Sequence, residues 1–334
     1  MILIFFVILG FSYGVSFQQF LHFTWADPRG LEDSLSYLAM SNGDYNVSEG
    51  HRFRFIIPYL ANLVRQVAFI PPDQLNWVGG GDAFSFYFVN SLITSLAGLI
   101  LYLFLTKLKF DGKLSLLGVF IFLGSRITVL STGAPMVDSL YFLAIIIVVY
   151  LCLTQRAILL SLLNPILILT KETTVPFLFL PLFLKTMNRK LILISLIFSF
   201  MILFWARNTV SSMVPSFTGA SDPILDVVKN HWIAGTENLR QCYLTFYGWH
   251  KIFSAFSVFW VFAAFGGYLK FRKIGPEYEI PLFLFWTVPI VFGFTLLSAN
   301  TGRMLLSLFP LVIPYALIGI EYLLSQNDEN AINS

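Results

Sequence analysis

Three carboxylates, Asp27, Glu32 and Asp33, stand close together just after the first apolar stretch of the chain. Such a group can accept protons as a general base or furnish oxygen ligands to a divalent cation. It can also simply complement the N-terminus of a helix, a placement worth about 0.3–1 kcal/mol. A set of basic residues is equally conspicuous. Arg52, Arg54, Arg126, Lys171, Arg207 and Arg303 each adjoin apolar sequence, with Lys171 and Glu172 interrupting LILTKETTVPFLF and Arg303 interrupting LLSANTGRMLLSLFP. A charge at the centre of a bilayer costs about 2.5–3.5 kcal/mol, and less near an interface, where long side chains snorkel. Snorkelling accounts for any one of these residues. Together they point to an outward-facing anion site.

The elements that must position these groups are membrane helices. Hydrophobic residues make up 57% of the 334, charged residues only 12%, and the mean hydropathy is +0.77. Too few polar side chains exist to cover a globular surface, so lipid is the solvent. About ten apolar runs are long enough to read as spanning or nearly spanning helices: near 2–21, 82–106, 114–130, 138–154, 157–170, 174–184, 191–206, 252–269, 280–298 and 304–324. Runs such as LAIIIVVYLCL are apolar on every face, which excludes the alternation of a membrane β-barrel. The N-terminal run lacks a basic leader and a small-residue cleavage site, and reads as a retained first helix. The net charge of +3 is distributed by membrane side and forms no nucleic-acid patch. Cys152 lies in an apolar run and Cys242 in a loop, so a disulfide between them is not expected. His22, His51, His231 and His250 have no metal-ligand spacing and read as interfacial polar aromatics.

Lys107, Lys109 and Lys113, then Arg156, then Lys185, Arg189 and Lys190, then Lys270, Arg272 and Lys273 fall in alternate short connections. The positive-inside rule makes those connections cytoplasmic. Both termini are then inside, and a single membrane domain over 1–334 carries two long outer loops, 22–81 and 207–251. In the first loop, 31–40 reads as a helix with Leu31, Leu35 and Leu38 on one face. FRFIIPYLANLVRQVAFI reads as an interfacial amphipathic helix broken near Pro58. Gly79 to Gly81 lack the Lys-Ser/Thr of a phosphate-binding loop and serve as a connector. The second loop contains Trp232, Tyr243, Tyr247 and Trp249, suited to sugar rings and equally to a membrane interface. Asp222 and Pro223 mark a turn or helix start.

This order of pieces resembles the GT-C superfamily of integral-membrane glycosyltransferases. Asp33 followed by Tyr37, with Ala39 close behind, is similar to the family's first-loop acidic motif, although the usual Asp-Glu order is reversed to Glu32-Asp33 and Asp27 competes. Arg52, Arg54 and Pro58 in HRFRFIIPYLANL, Lys171 and Glu172 in TKETTVPF, Arg303 before Pro310, and Asp138 in GAPMVDSLYFL resemble further family features. The resemblance implies a sugar donor carried on a polyprenyl phosphate or diphosphate, and a glycan, lipid or protein acceptor. It implies Asp33, Asp27 or Glu32 as base, and a substrate site drawn from Arg52, Arg54, Tyr37, Asp138, Lys171, Glu172 and Arg303. Some relatives use a divalent metal, and Asp27, Glu32, Asp33 and Asp138 are oxygen donors if they converge. The expected location is a bacterial inner membrane, with the site facing the periplasm or exterior.

A transporter or flippase for an anionic or lipid-linked substrate is the alternative, since it too would carry charges within the membrane. No internal repeat supports it, and the charges lie at outer helix ends. A polysaccharide polymerase or an acyl-transfer enzyme would share the hydropathy.

Overall fold

The computed structural model describes residues 1–22, 32–68, 80–212, 224–297 and 300–333, leaving aside a few side chains within them, those of Glu32 and Trp232 included. All regular structure among these residues is helical. The chain runs through α1 (Ile2–His22), α2 (Glu32–Ser41), α3 (Glu49–Arg52), α4 (Ile56–Val67), α5 (Gly80–Lys107), α6 (Gly112–Leu123), α7 (Arg126–Gly133), α8 (Asp138–Leu153) and α9 (Ala157–Leu167). A 3-10 turn at Glu172–Thr174, the single turn α10 (Val175–Leu178) and a second 3-10 turn at Leu180–Phe183 follow. The remainder is α11 (Arg189–Ser212), α12 (Ile224–Leu244), α13 (Phe246–Phe256), α14 (Phe259–Arg272), a 3-10 segment Leu282–Trp286, α15 (Thr287–Leu297), α16 (Thr301–Leu305), a 3-10 turn Leu306–Leu308 and α17 (Phe309–Asn333).

Each of the ten apolar runs is built of helical turns, but they differ in reach. Among the described residues, four segments are long and apolar enough to cross a membrane: Ile2–Leu21, Asp82–Lys107, Arg189–Ser212 and Thr301–Gln326. The number rises to six if two bent pairs each count as one span, α6 with α7 at 64° and α13 with α14 at 73°. The second bend has a visible cause in Ser257, which takes a left-handed φ of 52° between the two helices. The run expected near 174–184 is not one helix. Pro176 and Pro181 lack the N–H groups that a continuous ladder needs, so it divides into two 3-10 turns and α10.

Three expectations for the outer loops change. Pro58 does not break α4; it lies in the first turn, where its missing N–H costs nothing. On α2 Ser34, Tyr37, Leu38 and Ser41 are buried; of the three leucines expected on one face, Leu38 is buried, Leu35 is exposed and Leu31 lies outside the described residues. The second loop, read from sequence as a connection with a turn or helix start at Asp222-Pro223, holds the 21-residue α12, and Asp222 and Pro223 themselves lie outside the described residues. On α4, Tyr59, Leu63 and Val67 form an exposed apolar stripe at four-residue spacing, the pattern of an interfacial helix.

The chain divides into two compact units, 1–97 with 128–221 and 98–127 with 222–334. In the first, α2 packs on α3 and α4 over a core that includes Phe20, Tyr37, Leu38, Ile57, Ala83, Phe86, Tyr87 and Met136. This core fixes the loop helices on the ends of α1 and α5. Asn90, fully buried on α5, donates from Nδ2 to the carbonyls of Ala134 (3.1 Å) and Met136 (3.0 Å) and accepts from Ser139 Oγ at 2.6 Å. These bonds satisfy polar groups that lipid and core cannot, and they set the turn from which Asp138 opens α8. On the far side, α9 packs against α11, whose Leu193, Ile194, Ile197, Phe198, Met201, Phe204 and Trp205 remain exposed, as lipid-facing residues are.

The second unit is organised on α14 and α17, which touch backbone to backbone. A Cβ at Gly266 would stand 1.9 Å from the Tyr315 carbonyl oxygen, and one at Gly319 would stand 2.5 Å from the Phe262 carbonyl oxygen. Small residues facing each other in this way let membrane helices approach closely enough for dispersion contacts to hold them. Alanine at Gly266 therefore forces the pair apart and is expected to destabilise the protein by about 1–3 kcal/mol. Gly267→Ala supplies the control, because its Cβ would meet nothing nearer than Tyr315 Cδ1 at 3.9 Å. Thermal unfolding of both variants in detergent checks the difference.

Candidate functional site

Several ionisable residues of the first unit gather near the ends of α2, α3, α8 and α11 and the turn that begins at Glu172. Asp33, in the first turn of α2, places Oδ1 3.3 Å from Nε2 of His51, and the other ring nitrogen of His51 lies 3.0 Å from Ser36 Oγ. One helical turn beyond Asp33, Tyr37 is fully buried, and its hydroxyl oxygen accepts a hydrogen bond from Arg54 Nη1 at 3.0 Å. Burial pushes the Tyr37 hydroxyl up to about 12, with Asp138 and Asp33 adding to the rise and Arg54 opposing it, so it remains a neutral phenol. Burial works against the charge of Arg54, but the Tyr37 oxygen that accepts its hydrogen bond and the carboxylates of Glu172 and Asp138 outweigh it and hold the guanidinium above its ordinary range.

Arg54 Nε donates to Glu172 Oε2 at 3.1 Å, and the other oxygen of Glu172 lies 3.6 Å from Arg207 Nη2. The Arg207 guanidinium in turn stands 4.8 Å from the Phe53 ring centroid. Next to Glu172 in sequence, Lys171 turns inward and its Nζ reaches Asp138 Oδ1 at 2.6 Å, with side-chain exposures of 4% and 1%. Lys171 also lies over the Tyr141 ring, 5.3 Å from its centroid. Arg52 is buried and donates from Nη2 to the Val47 carbonyl at 2.9 Å. Its Nε has no acceptor among the described residues, and neither has the buried Nε of Arg207.

Of the residues singled out from sequence, the structure brings together Asp33, Tyr37, Arg54, Asp138, Lys171 and Glu172. It sets Arg52 two residues before Arg54 in the same α3–α4 segment. Asp27 and the Glu32 side chain lie outside the described structure. Arg303 belongs to the second unit, on α16, where its backbone N–H approaches Asn300 Oδ1 at 3.4 Å. In that same unit Arg126 Nη1 lies 3.1 Å from His250 Nε2. Among the described residues no three His, Cys, Asp or Glu side chains gather closely enough to hold a metal ion.

Sequence reading left His51 out of the cluster and named Arg207 among the outer cations without placing it in the substrate site. His51 gave no signal beyond its proximity to Arg52 and Arg54. Arg207 was legible as an outer charge: it lies 18 residues beyond Arg189 on α11, about 27 Å of helix and close to the thickness of a bilayer's hydrocarbon. A separate polar group ties the end of α4 to the start of α5. Arg65 Nη1 meets Asp82 Oδ1 at 2.6 Å, and Asn42 Nδ2 donates to Asp82 Oδ2 at 2.9 Å. In the second unit, Leu239, Arg240, Tyr243, Leu244 and Phe292 line a groove of about 560 Å³ beside α12. Tyr247 and Trp249 are exposed, as interfacial aromatics are.

The cluster in the first unit thus sets one half-buried carboxylate, Asp33, near a surplus of cationic side chains, Arg52, Arg54, Lys171 and Arg207 against Asp138 and Glu172. No family model, curated protein or solved structure matches this chain.

Proposed function

We propose that the protein is a membrane glycosyltransferase of GT-C type, with ten membrane-embedded helical segments, that moves a sugar from a polyprenyl phosphate or diphosphate to an acceptor on the extracytoplasmic face. The observation that carries this reading is the continuous arrangement of Asp33, Tyr37, Arg54, Glu172 and Arg207 in one compact unit. A site that transfers sugar from a lipid phosphate needs both of its halves: a base for the incoming hydroxyl and fixed cations for the departing phosphate.

In this reading Asp33 accepts the proton of the acceptor hydroxyl as its oxygen attacks the anomeric carbon. The bond from that carbon to the phosphate oxygen breaks, and its electron pair stays on the phosphate. Arg54, Arg207 and Arg52 face the charge that develops there, and a planar guanidinium can meet two oxygens at once. Lys171 and Asp138, buried against each other, hold the Glu172 turn in place and do not meet substrate. Placing Arg189 and Lys190 on the cytoplasmic side puts Arg207 at the outer interface, where a donor diffusing in the bilayer presents its head group. A bacterial inner membrane, with the site toward the periplasm, suits such a donor.

The test uses purified protein in liposomes, a panel of radiolabelled polyprenyl-phosphate sugars and crude membrane acceptors. Label passing from the carrier to an acceptor is the expected result. Label crossing the bilayer while still on its carrier would support the transporter instead.

A further inference from the structure

We infer that Arg54 and Arg207 form a phosphate-oxygen site whose resident counter-ion, before the ligand arrives, is the carboxylate of Glu172. The inference rests on reading this cluster as the lipid-phosphate site and assigns two roles within it: Arg207 as a ligand and Glu172 as an internal anion that the phosphate displaces.

Glu172 spans two guanidinium groups, one oxygen on Arg54 at 3.1 Å and the other facing Arg207 at 3.6 Å. The second distance is an ion pair and not a formed hydrogen bond, so Arg207 is held loosely. Its side chain is 39% exposed and that of Glu172 35%. By contrast the buried Nε of Arg207 has no acceptor among the described residues, and the Nε of Arg52 shares that state. Leaving a charged donor buried without a partner is costly, and an oxyanion bound here would remove that cost.

The backbone around Glu172 is built to stay while its side chain moves. Lys171 is extended, with φ −169° and ψ 149°, and is anchored through its Nζ on Asp138; the 3-10 turn Glu172–Thr174 follows at once. Rotation of the Glu172 side chain toward solvent therefore frees both arginines without unfolding the turn. Phe53, flanked in sequence by Arg52 and Arg54 and covered by Arg207, gives that guanidinium an apolar floor. A lipid phosphate brings more oxygens and more negative charge than the carboxylate it replaces. It also leaves a like charge, Glu172, to be moved aside. Glu172 thus keeps the arginines paired in the absence of ligand and weakens binding by the amount needed to displace it.

The experiment measures the affinity of farnesyl phosphate for the full-length protein in phosphatidylcholine nanodiscs, with farnesol and inorganic phosphate in parallel. Glu172→Gln removes the competing charge and is expected to tighten farnesyl phosphate binding about threefold to tenfold. Arg207→Gln is expected to weaken it about tenfold or more. Farnesol should show neither effect. Inorganic phosphate binding with the same dependence on Glu172 supports the site and makes free phosphate sufficient as its ligand. Unchanged or weaker farnesyl phosphate binding in a folded Glu172→Gln protein would overturn the inference. Should that variant fail to fold, Arg207→Gln decides alone, and unchanged affinity there would overturn it equally. Tightening in Glu172→Gln without sugar transfer by the wild type would remove the transferase reading and leave the anion site standing. Transfer without tightening would do the reverse.

Discussion

In the proposed transferase, asparagine in place of Asp33 is expected to lower the rate of sugar transfer by about 10²–10⁴-fold, the usual contribution of a positioned general base, and to leave the fold intact. The amide keeps the shape of the carboxylate but cannot take the acceptor's proton. The fold survives because Asp33 is half-exposed, at 31%, and sits in the first turn of α2, where its contribution to stability is the modest one of a helix N-terminus. Loss of rate without loss of melting temperature is therefore the signature to look for. Normal transfer by Asp33→Asn would move the base to Asp27 or Glu32.

Lys171→Met behaves in the opposite way. It strips the cation from Asp138, a carboxylate only 1% exposed, and is expected to cost about 3–5 kcal/mol of stability. Asp138→Leu leaves the ammonium of Lys171 buried and is expected to cost a similar amount. Combining the two substitutions removes both charges and recovers most of the loss, since an apolar pair of similar volume replaces an ion pair that had to be desolvated. Chemical or thermal unfolding of the two single variants and the double variant gives the coupling directly. A loss below about 1 kcal/mol in either single variant would mean that the pair is solvated and worth no more than a surface ion pair.

Much of the fold can be read in the chain because bilayers impose a simple rule: apolar runs must be helical. Among the described residues the apolar runs singled out are built of helical turns, and four of them fall in segments long enough to cross a membrane. What periodicity could not provide was continuity. The bend after Ser257 depends on one residue's left-handed φ, and the division of 172–183 depends on two prolines in a stretch that hydropathy alone treats as uniform. Part of the site was legible by residue type, since charged groups beside apolar sequence are costly and so conspicuous: Arg54, Lys171 and Glu172 were found in this way, whereas Asp138 was singled out only by the family resemblance. Their pairing was not legible. Lys171 and Glu172 are neighbours in sequence, yet one side chain turns inward to Asp138 and the other is shared between Arg54 and Arg207. His51 escaped notice because a lone histidine in an interfacial loop has no distinguishing pattern, and only the packing of α3 on α2 brings it to Asp33.

The measurement that bears most directly on the central claim is the stoichiometry of the lipid product. Wild-type protein in liposomes is given a polyprenyl-phosphate sugar that it accepts, and mass spectrometry follows the carrier while radiolabel follows the sugar. A transferase releases one sugar-free polyprenyl phosphate for each sugar bonded to acceptor, and that ratio is the expected result. Recovery of the intact lipid-linked sugar, moved to the opposite leaflet with no free carrier, would contradict it and make the protein a transporter.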